Sequence, residues 1–581
     1  MVRTTFYGVA LAAIASAVQG MEIDMTNVVS SEEYRSGAVH HKSMSMKIAQ
    51  WDAEIAAGLM NSTQYPELGY TKCVDGIAAA IPGDANNTFQ CNNIDLYHFL
   101  SHAQLGSTQG QGSSSWGWTH KRSGREFVAI GQFDGTAFVE ITRKGKMVYL
   151  GRLPQYDPIG SRWREIRTLG DYIVVGSEAI VHGVQIFDMK KLLRLDPSNP
   201  KTFSQSDLTG WFGELPVGRT HNIVVNEELN YAIAAGSVRG NSTTRTRENL
   251  PCGGGLIFIN MTDPTKPTTP GCAAADGYVH DAECLVYRGP DKRYQGRDIC
   301  YGYNEGASRP SLSPYPSLHP LLTFPDTMTI YDVTNKIGNT TKIISRTSYV
   351  GARYIHQGAV LDRQNQEFIV LDDELDERDA TEGPATNKLP TTYILDIRDL
   401  EKPKVTGFYQ GKTRSIDHNQ YVIDGYNYQS NYGAGLRVLD VRSVPSDPTG
   451  AGICEAGFFD IYPEDDALEG GGQVAFLGTW SSYAYFKSGY IYINTIERGS
   501  FVVKMTGKNC PGRPRCEDND VLLRVLRGKG EKGREFCRRW NGRGEREGNE
   551  GEEELREYAD AVGAPVRGLG SRVRRACACL L

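Results

Sequence analysis

Beyond its first twenty positions the 581-residue sequence has no run of eighteen apolar residues, so it offers no later segment fit to cross a bilayer as a helix. Charge of one sign is also scarce. Lys and Arg number 63 against 69 Asp and Glu, a net charge of −6, which gives no electrostatic case for nucleic acid or an anionic membrane as partner. Strong helical periodicity is missing between residues 91 and 507, and that excludes an α/β layout. Several catalytic templates are missing too: no GxSxG elbow, no HExxH and no phosphate-binding loop occurs. No CxxC pair suggests a zinc finger.

What is present begins with a leader. Arg3 precedes an apolar run from Tyr7 to Val18, and small residues follow at Ala15-Ser16-Ala17 and Val18-Gln19-Gly20. Residues 1–20 therefore read as a secretory signal peptide. Sequons at Asn61, Asn86, Asn241, Asn260 and Asn339 agree with export, each followed two residues on by Thr. Among twelve cysteines, Cys73 and Cys91 bracket a short loop, Cys252 and Cys272 flank a strand pair, and Cys284 and Cys300 lie on neighbouring strands. In an oxidising compartment these read as disulfides.

Short β-type runs recur between turn residues, as in Phe127-Val-Ala-Ile, Tyr172-Ile-Val-Val, Leu256-Ile-Phe-Ile and Tyr490-Ile-Tyr-Ile. A Trp or His marks each unit: Trp116, Trp163, His221, His280, His356, His418 and Trp480, separated by 47, 58, 59, 76, 62 and 62 residues. The same order of strands follows each marker. Seven units of four strands predict an all-β fold, a seven-bladed β-propeller over residues 91–507. The last unit holds only three strands, so the segment Asn93-Ile-Asp-Leu-Tyr-His-Phe-Leu is expected to supply the fourth and close the ring. Residues 21–90 read as a small helical appendage, with Met44, Ile48, Trp51, Ile55 and Leu59 at helical spacing, packed on the side or across one mouth. Residues 508–581 form a Gly/Arg/Glu-rich tail whose composition predicts disorder.

The motifs Trp116-Gly-Trp, Gly183-Val-Gln-Ile-Phe-Asp, Cys252-Gly-Gly-Gly, Tyr278-Val-His-Asp, His356-Gln-Gly, Asp372-Asp-Glu-Leu-Asp-Glu, Asp417-His-Asn and Asn431-Tyr-Gly-Ala-Gly-Leu-Arg run through this stretch. In them the chain resembles the secreted LVIVD-repeat, or choice-of-anchor B, family from about Asp95 to Val503. The resemblance implies an extracellular repeat protein and no particular reaction.

Propeller geometry puts the start of each inner strand and the end of each second strand at one end of the blade. His221, His280, His356 and His418 are therefore expected to line an arc of one channel mouth, with Trp163 and Trp480 beside them. Glu178, Asp281, Glu305, Asp372, Asp373, Glu374, Asp417, Asn431 and Glu497 complete the expected rim. Such a cup suits a divalent metal, zinc for the four histidines or calcium for the carboxylates, or a small polar ligand. The plainer alternative is that these groups hydrogen-bond neighbouring blades. The acidic run Asp372 to Asp379 lacks the Gly-centred spacing of an EF-hand, and a solvated loop is its ordinary reading. The sequence thus points to a secreted or cell-surface monomer that binds an extracellular protein, a glycan or a small polar ligand. A metal-dependent extracellular hydrolase working in the same mouth is the competing reading, with Glu178 or Glu305 as base.

Overall fold

The computed structural model describes residues 22–24, 38–155, 160–215, 218–237, 252–304 and 326–508, with a few isolated positions beyond. The leader, Asn241, Glu305 and nearly all of the Gly/Arg/Glu-rich tail lie outside the described residues. The chain divides into two units, Met1–Thr506 and Gly507–Leu581; the first carries the fold.

Seven antiparallel sheets follow one another along the chain. Their inner strands are Gly112–Thr119, Arg164–Leu169, Asn222–Asn226, Val279–Val286, Ile355–Val360, Gln420–Ile423 and Thr479–Tyr483. From blade 1 to blade 6 each inner strand touches the next, and the inner strand of blade 7 touches the second strand of blade 6 and the inner strand of blade 1, so the sheets form a closed seven-bladed propeller.

Period-two alternation explains why the blades stack. In the second strand of blade 1, Phe127 and Ala129 pack with Ile173 and Val175 of blade 2. The alternate residues, Val128 and Ile130, pack with Tyr492 and Val502 of blade 7. Both faces of such a strand are buried, so its sequence is continuously apolar rather than alternating. The same division recurs in blade 4, where Ile299, Tyr301 and Tyr303 face blade 5 and Cys300 faces blade 3.

The ring closes where expected. Strand Ile94–Ser101 pairs antiparallel with Gly499–Met505, with Phe99 opposite Phe501. The approach is close at the end of the clasp: a Cβ on Gly499 (φ 151°) would lie 2.2 Å from the Leu100 carbonyl oxygen. Only glycine serves there. The three local cysteine pairs are disulfides, Cys73–Cys91, Cys252–Cys272 and Cys284–Cys300, and Cys454, for which the sequence shows no local mate, is disulfide-bonded as well.

The appendage is more than a helix. Its helix spans Ala38–Ala56, strand Glu22–Asp24 extends the outer edge of blade 4, and a hairpin of Ile77–Ala79 with Thr88–Asn92 extends blade 6. The helix also turns a different face inward from the one its apolar spacing suggested. His40, Met44, Lys47 and Trp51 are buried, while Ile55 and, past the helix end, Leu59 are 43% and 50% exposed. The surface it meets is polar, which is why two of the four buried positions are basic.

Just past the clasp, His102 is fully buried and donates from Nε2 to the Thr495 carbonyl at 2.8 Å. Burial drives its pKa down to about 4. Its pKa when folded lies below its unfolded value of about 6.5, so the unfolded chain binds the proton more readily. The stability it contributes is present above about pH 6.5 and is lost as pH falls toward 4, about 3 kcal/mol in all. The stability gap between wild type and His102→Gln should therefore shrink from pH 7.5 to 4.5 in urea melts; a constant gap would contradict it.

Candidate functional site

The markers owe their placement to β-bulges. In blades 4, 5 and 7 the pairing slips between Val279 and Asp281, Ile355 and Gln357, and Thr479 and Ser481. The residues skipped are His280, His356 and Trp480. A bulge re-aims its extra side chain, and here all three face the same end of the channel. His221 and His418 reach it from just before their strands. The imidazoles form a chain with centroids 4.4, 4.3 and 4.3 Å apart from His221 through His280 and His356 to His418.

Backbone carbonyls set the tautomers. His280 Nδ1 donates to the His356 carbonyl at 2.8 Å, and His418 Nδ1 to the Trp480 carbonyl at 2.7 Å. Each ring then keeps its lone pair on Nε2, and His280 Nε2 is buried without a hydrogen-bond partner. Burial holds His280 and His356 well below the usual imidazole range. It brings His418 to about 4, outweighing the attraction of Glu374. His280, His356 and His418 are therefore neutral.

The expected open cup is closed by the helix. Lys47 reaches into it and donates to Glu374 Oε2 at 2.5 Å, with Tyr432 bonded to the other carboxylate oxygen. Burial would raise Glu374, but the Lys47 ammonium bonded to it holds it below its ordinary value. His40 bonds Glu178 at 2.9 Å and stacks on Tyr278, while His221 bonds the same carboxylate. Burial opposes ionisation of Glu178 too, yet the two histidines pull its pKa well down. Trp51 donates to the Phe476 carbonyl at 2.7 Å and lies between Trp163 and Trp480. Donor atoms of His356, Glu374 and His418 lie within 4.8 Å of one another, as do those of His40, Glu178 and His221. These donor sets suit an imidazole-binding metal, but Lys47 already supplies a cation to Glu374. The space left is about 10 Å³, room for about one water and not for a substrate.

The remaining rim residues scatter. Asp281 lies below the ring, accepting from Gln357 Nε2 at 2.7 Å. Asp372 accepts from the Gln357 amide, and Asp373 from Tyr349 and the Arg353 and Tyr354 amides. Glu497 accepts from the Gly478 amide. Asn431, at the end of blade 6's second strand, has a buried side-chain oxygen without a partner. Asp417 sits beside Asp376 and Glu377. The acidic run is not a solvated loop: residues 372 to 377 are buried, and only Arg378 and Asp379 reach solvent. Strand Phe368–Asp373 carries its first carboxylates into the ring, and the turn after it folds Asp376 and Glu377 back against Tyr393 and Thr391.

The opposite end of the channel is open. A cavity of about 640 Å³ is lined by Trp116, Arg167, Asp281, Glu283, Gln357, Arg363, Tyr421 and Tyr485, among others. Arg167 lies 4.3 Å over the Trp116 ring and donates to Tyr421 at 2.9 Å. Trp116 is thus out of step with the other markers. The bulge of blade 1 falls between Gly112 and Ser115, so two serines occupy the marker position and Trp116 belongs to the far end.

No protein-family model matches the sequence, and no curated protein does. Among solved structures, the chain is similar to the β-propeller domain of Myceliophteria thermophila Cps50 (Swd1), at 10% identity and a TM-score of 0.36, over 68% of this chain and 97% of that one. It is also similar to the computationally designed Ika8 protein, at 9% identity and a TM-score of 0.36, over 75% of this chain and 96% of that one.

Sequence reasoning missed Lys47, His40, Tyr278 and Tyr432 at the closed end, and the whole open end. A signal for the open end exists: Arg167, Asp281 and Glu283, which line it, are charged residues inside inner strands, where a blade core would be apolar. Tyr421 and Tyr483 repeat the pattern three residues after their markers.

Proposed function

We propose that this protein is a secreted, glycosylated propeller of the LVIVD-repeat kind that binds a glycan in the open mouth opposite its histidine ring. The observation that carries this reading is the contrast between the two ends, about 640 Å³ at one and about 10 Å³ at the other. Ligand sites are concave, with aromatic walls and a few fixed polar groups. Here the Trp116, Tyr421 and Tyr485 rings, which line the cavity and are only partly buried, offer flat faces for the C–H faces of a sugar. Arg167, Arg363, Glu283 and Asp281 offer planar donors and acceptors for its hydroxyls. Secretion is supported by the disulfides and by the exposure of all four described sequon asparagines, Asn61, Asn86, Asn260 and Asn339. The described residues contain no helix long and apolar enough to cross a membrane.

Screening the purified protein on a glycan array tests the reading. Wild type should bind a defined set of glycans, and Trp116→Ala or Tyr485→Ala should weaken that binding at least tenfold. The charge-balanced Lys47→Met/Glu374→Gln variant, at the closed end, should leave it unchanged. Failure of any glycan to bind, or binding that survives both aromatic substitutions, would remove the proposal.

A further inference from the structure

Asp376, Glu377 and Asp417 meet at the junction of blades 5 and 6. Asp376 and Glu377 lie in the short helical turn after the second strand of blade 5. Asp417 precedes the inner strand of blade 6. One carboxylate oxygen from each lies within 4.8 Å of the others, and the three side chains are 1%, 2% and 0% exposed.

Two of the six oxygens in this nest are anchored by neutral donors. Asp376 Oδ2 accepts from the Tyr393 hydroxyl at 2.7 Å, and Glu377 Oε1 from the Thr391 amide at 3.0 Å. The other oxygens are not. Asp376 Oδ1, Glu377 Oε2 and both oxygens of Asp417 are buried without a hydrogen-bond partner. The Asp373 amide is near enough to favour ionised Asp417 but falls short of hydrogen-bond geometry. Among the described residues no Lys, Arg or His pairs with any of the three. The contrast with Glu374 is direct, since that buried carboxylate has Lys47. Their neighbours Asp372 and Asp373 add further negative charge.

Buried polar atoms in folded proteins are almost always paired, and buried charges are paired or bind metal. Four buried, unpaired carboxylate oxygens in one nest without a counter-charge need a partner. From this geometry we infer that Asp376, Glu377 and Asp417 form a binding site for a calcium ion that joins blades 5 and 6. The donors are all oxygen, with no imidazole or thiolate among them, and that favours a hard cation over zinc or copper. Calcium accepts irregular sets of carboxylates, including two oxygens from one group, as Asp417 offers. Magnesium demands near-ideal octahedral geometry and holds on to its waters. Burial and mutual repulsion push all three groups well above the usual carboxylate range when no ion is bound. The site is independent of the open mouth and of the glycan reading.

The test uses the full secreted protein, stripped with a chelator and then titrated with calcium chloride. Isothermal titration should show about one ion per chain, and thermal melting should rise with calcium concentration. Terbium should substitute, and its luminescence should be excited through tyrosine, because Tyr393 is bonded to Asp376. Asp417→Asn and Asp376→Asn should each weaken calcium binding at least a hundredfold. Asp417→Asn should at the same time raise the melting temperature of the chelated protein, since its amide can donate to the unpaired oxygens of Asp376 and Glu377. That opposite pair of shifts separates ion loss from misfolding. Absence of calcium binding, or binding unaffected by both substitutions, would overturn the inference; a carboxyl network held only by shared protons predicts the first of these.

Discussion

A chain that begins at His102 should fail to give a folded, monomeric propeller, whereas one that begins at Asn92 should fold with reduced stability. The difference between them is strand Ile94–Ser101. It brings Ile94, Leu96, Phe99 and Leu100 into the core, each 8% exposed or less. Burying such side chains contributes about 1.5–3 kcal/mol apiece, so the strand accounts for about 6–12 kcal/mol. That is comparable to the whole stability of an ordinary domain, about 5–15 kcal/mol. Without it, Gly499–Met505 becomes an open edge able to pair with other chains. Secreted yield, size-exclusion profile and far-ultraviolet circular dichroism would report the outcome. Leu96→Asp in the full chain should reproduce the failure, and a folded monomer starting at His102 would show that the ring closes some other way.

Lys47→Ala should cost about 3–5 kcal/mol, because it leaves Glu374 as an uncompensated charge at the bottom of a closed site. The remaining contacts of Glu374 are the Tyr432 hydroxyl and His418 at 3.6 Å, and His418 is held neutral by burial. The double variant Lys47→Met/Glu374→Gln should recover most of the loss, since both charges leave together and the methionine fills the lysine's volume. A strong non-additive coupling in urea melts is therefore expected. A second readout follows from the helix lying across the histidines. Release of the helix in Lys47→Ala should expose the imidazoles to acylation by diethylpyrocarbonate, which wild type resists. A loss under 1 kcal/mol with unchanged reactivity would mean that the helix is held by Trp51 and His40 instead.

The ring, its blade number and its clasp were legible because each blade repeats one local pattern and the seventh copy is visibly one strand short. His280, His356 and His418 were legible for the same reason: they recur at the strand start. The rest was hidden by context. Lys47 looks like the polar side of an amphipathic helix, and only the charge of Glu374 opposite makes it an inward residue. Asp372 to Glu377 looks like a solvated run because nothing in one dimension shows the turn that folds it back under Tyr393. Trp116 misled for a geometric reason, since the bulge of blade 1 carries serines and shifts the aromatic residue along the strand. Asp281 follows His280 directly, yet the bulge that turns His280 toward the closed end leaves Asp281 lining the open cavity.

The clasp also sets a timetable for synthesis. Phe99 emerges from the ribosome 402 residues before Phe501, its partner across the ladder. At about 5–20 residues per second, the gap lasts roughly 20–80 s. Through that interval a nascent strand carrying Ile94, Leu96 and Phe99 stays without its native partner while the blades before the last form behind it. Its exposure is therefore set by the length of the ring and not by the length of the strand.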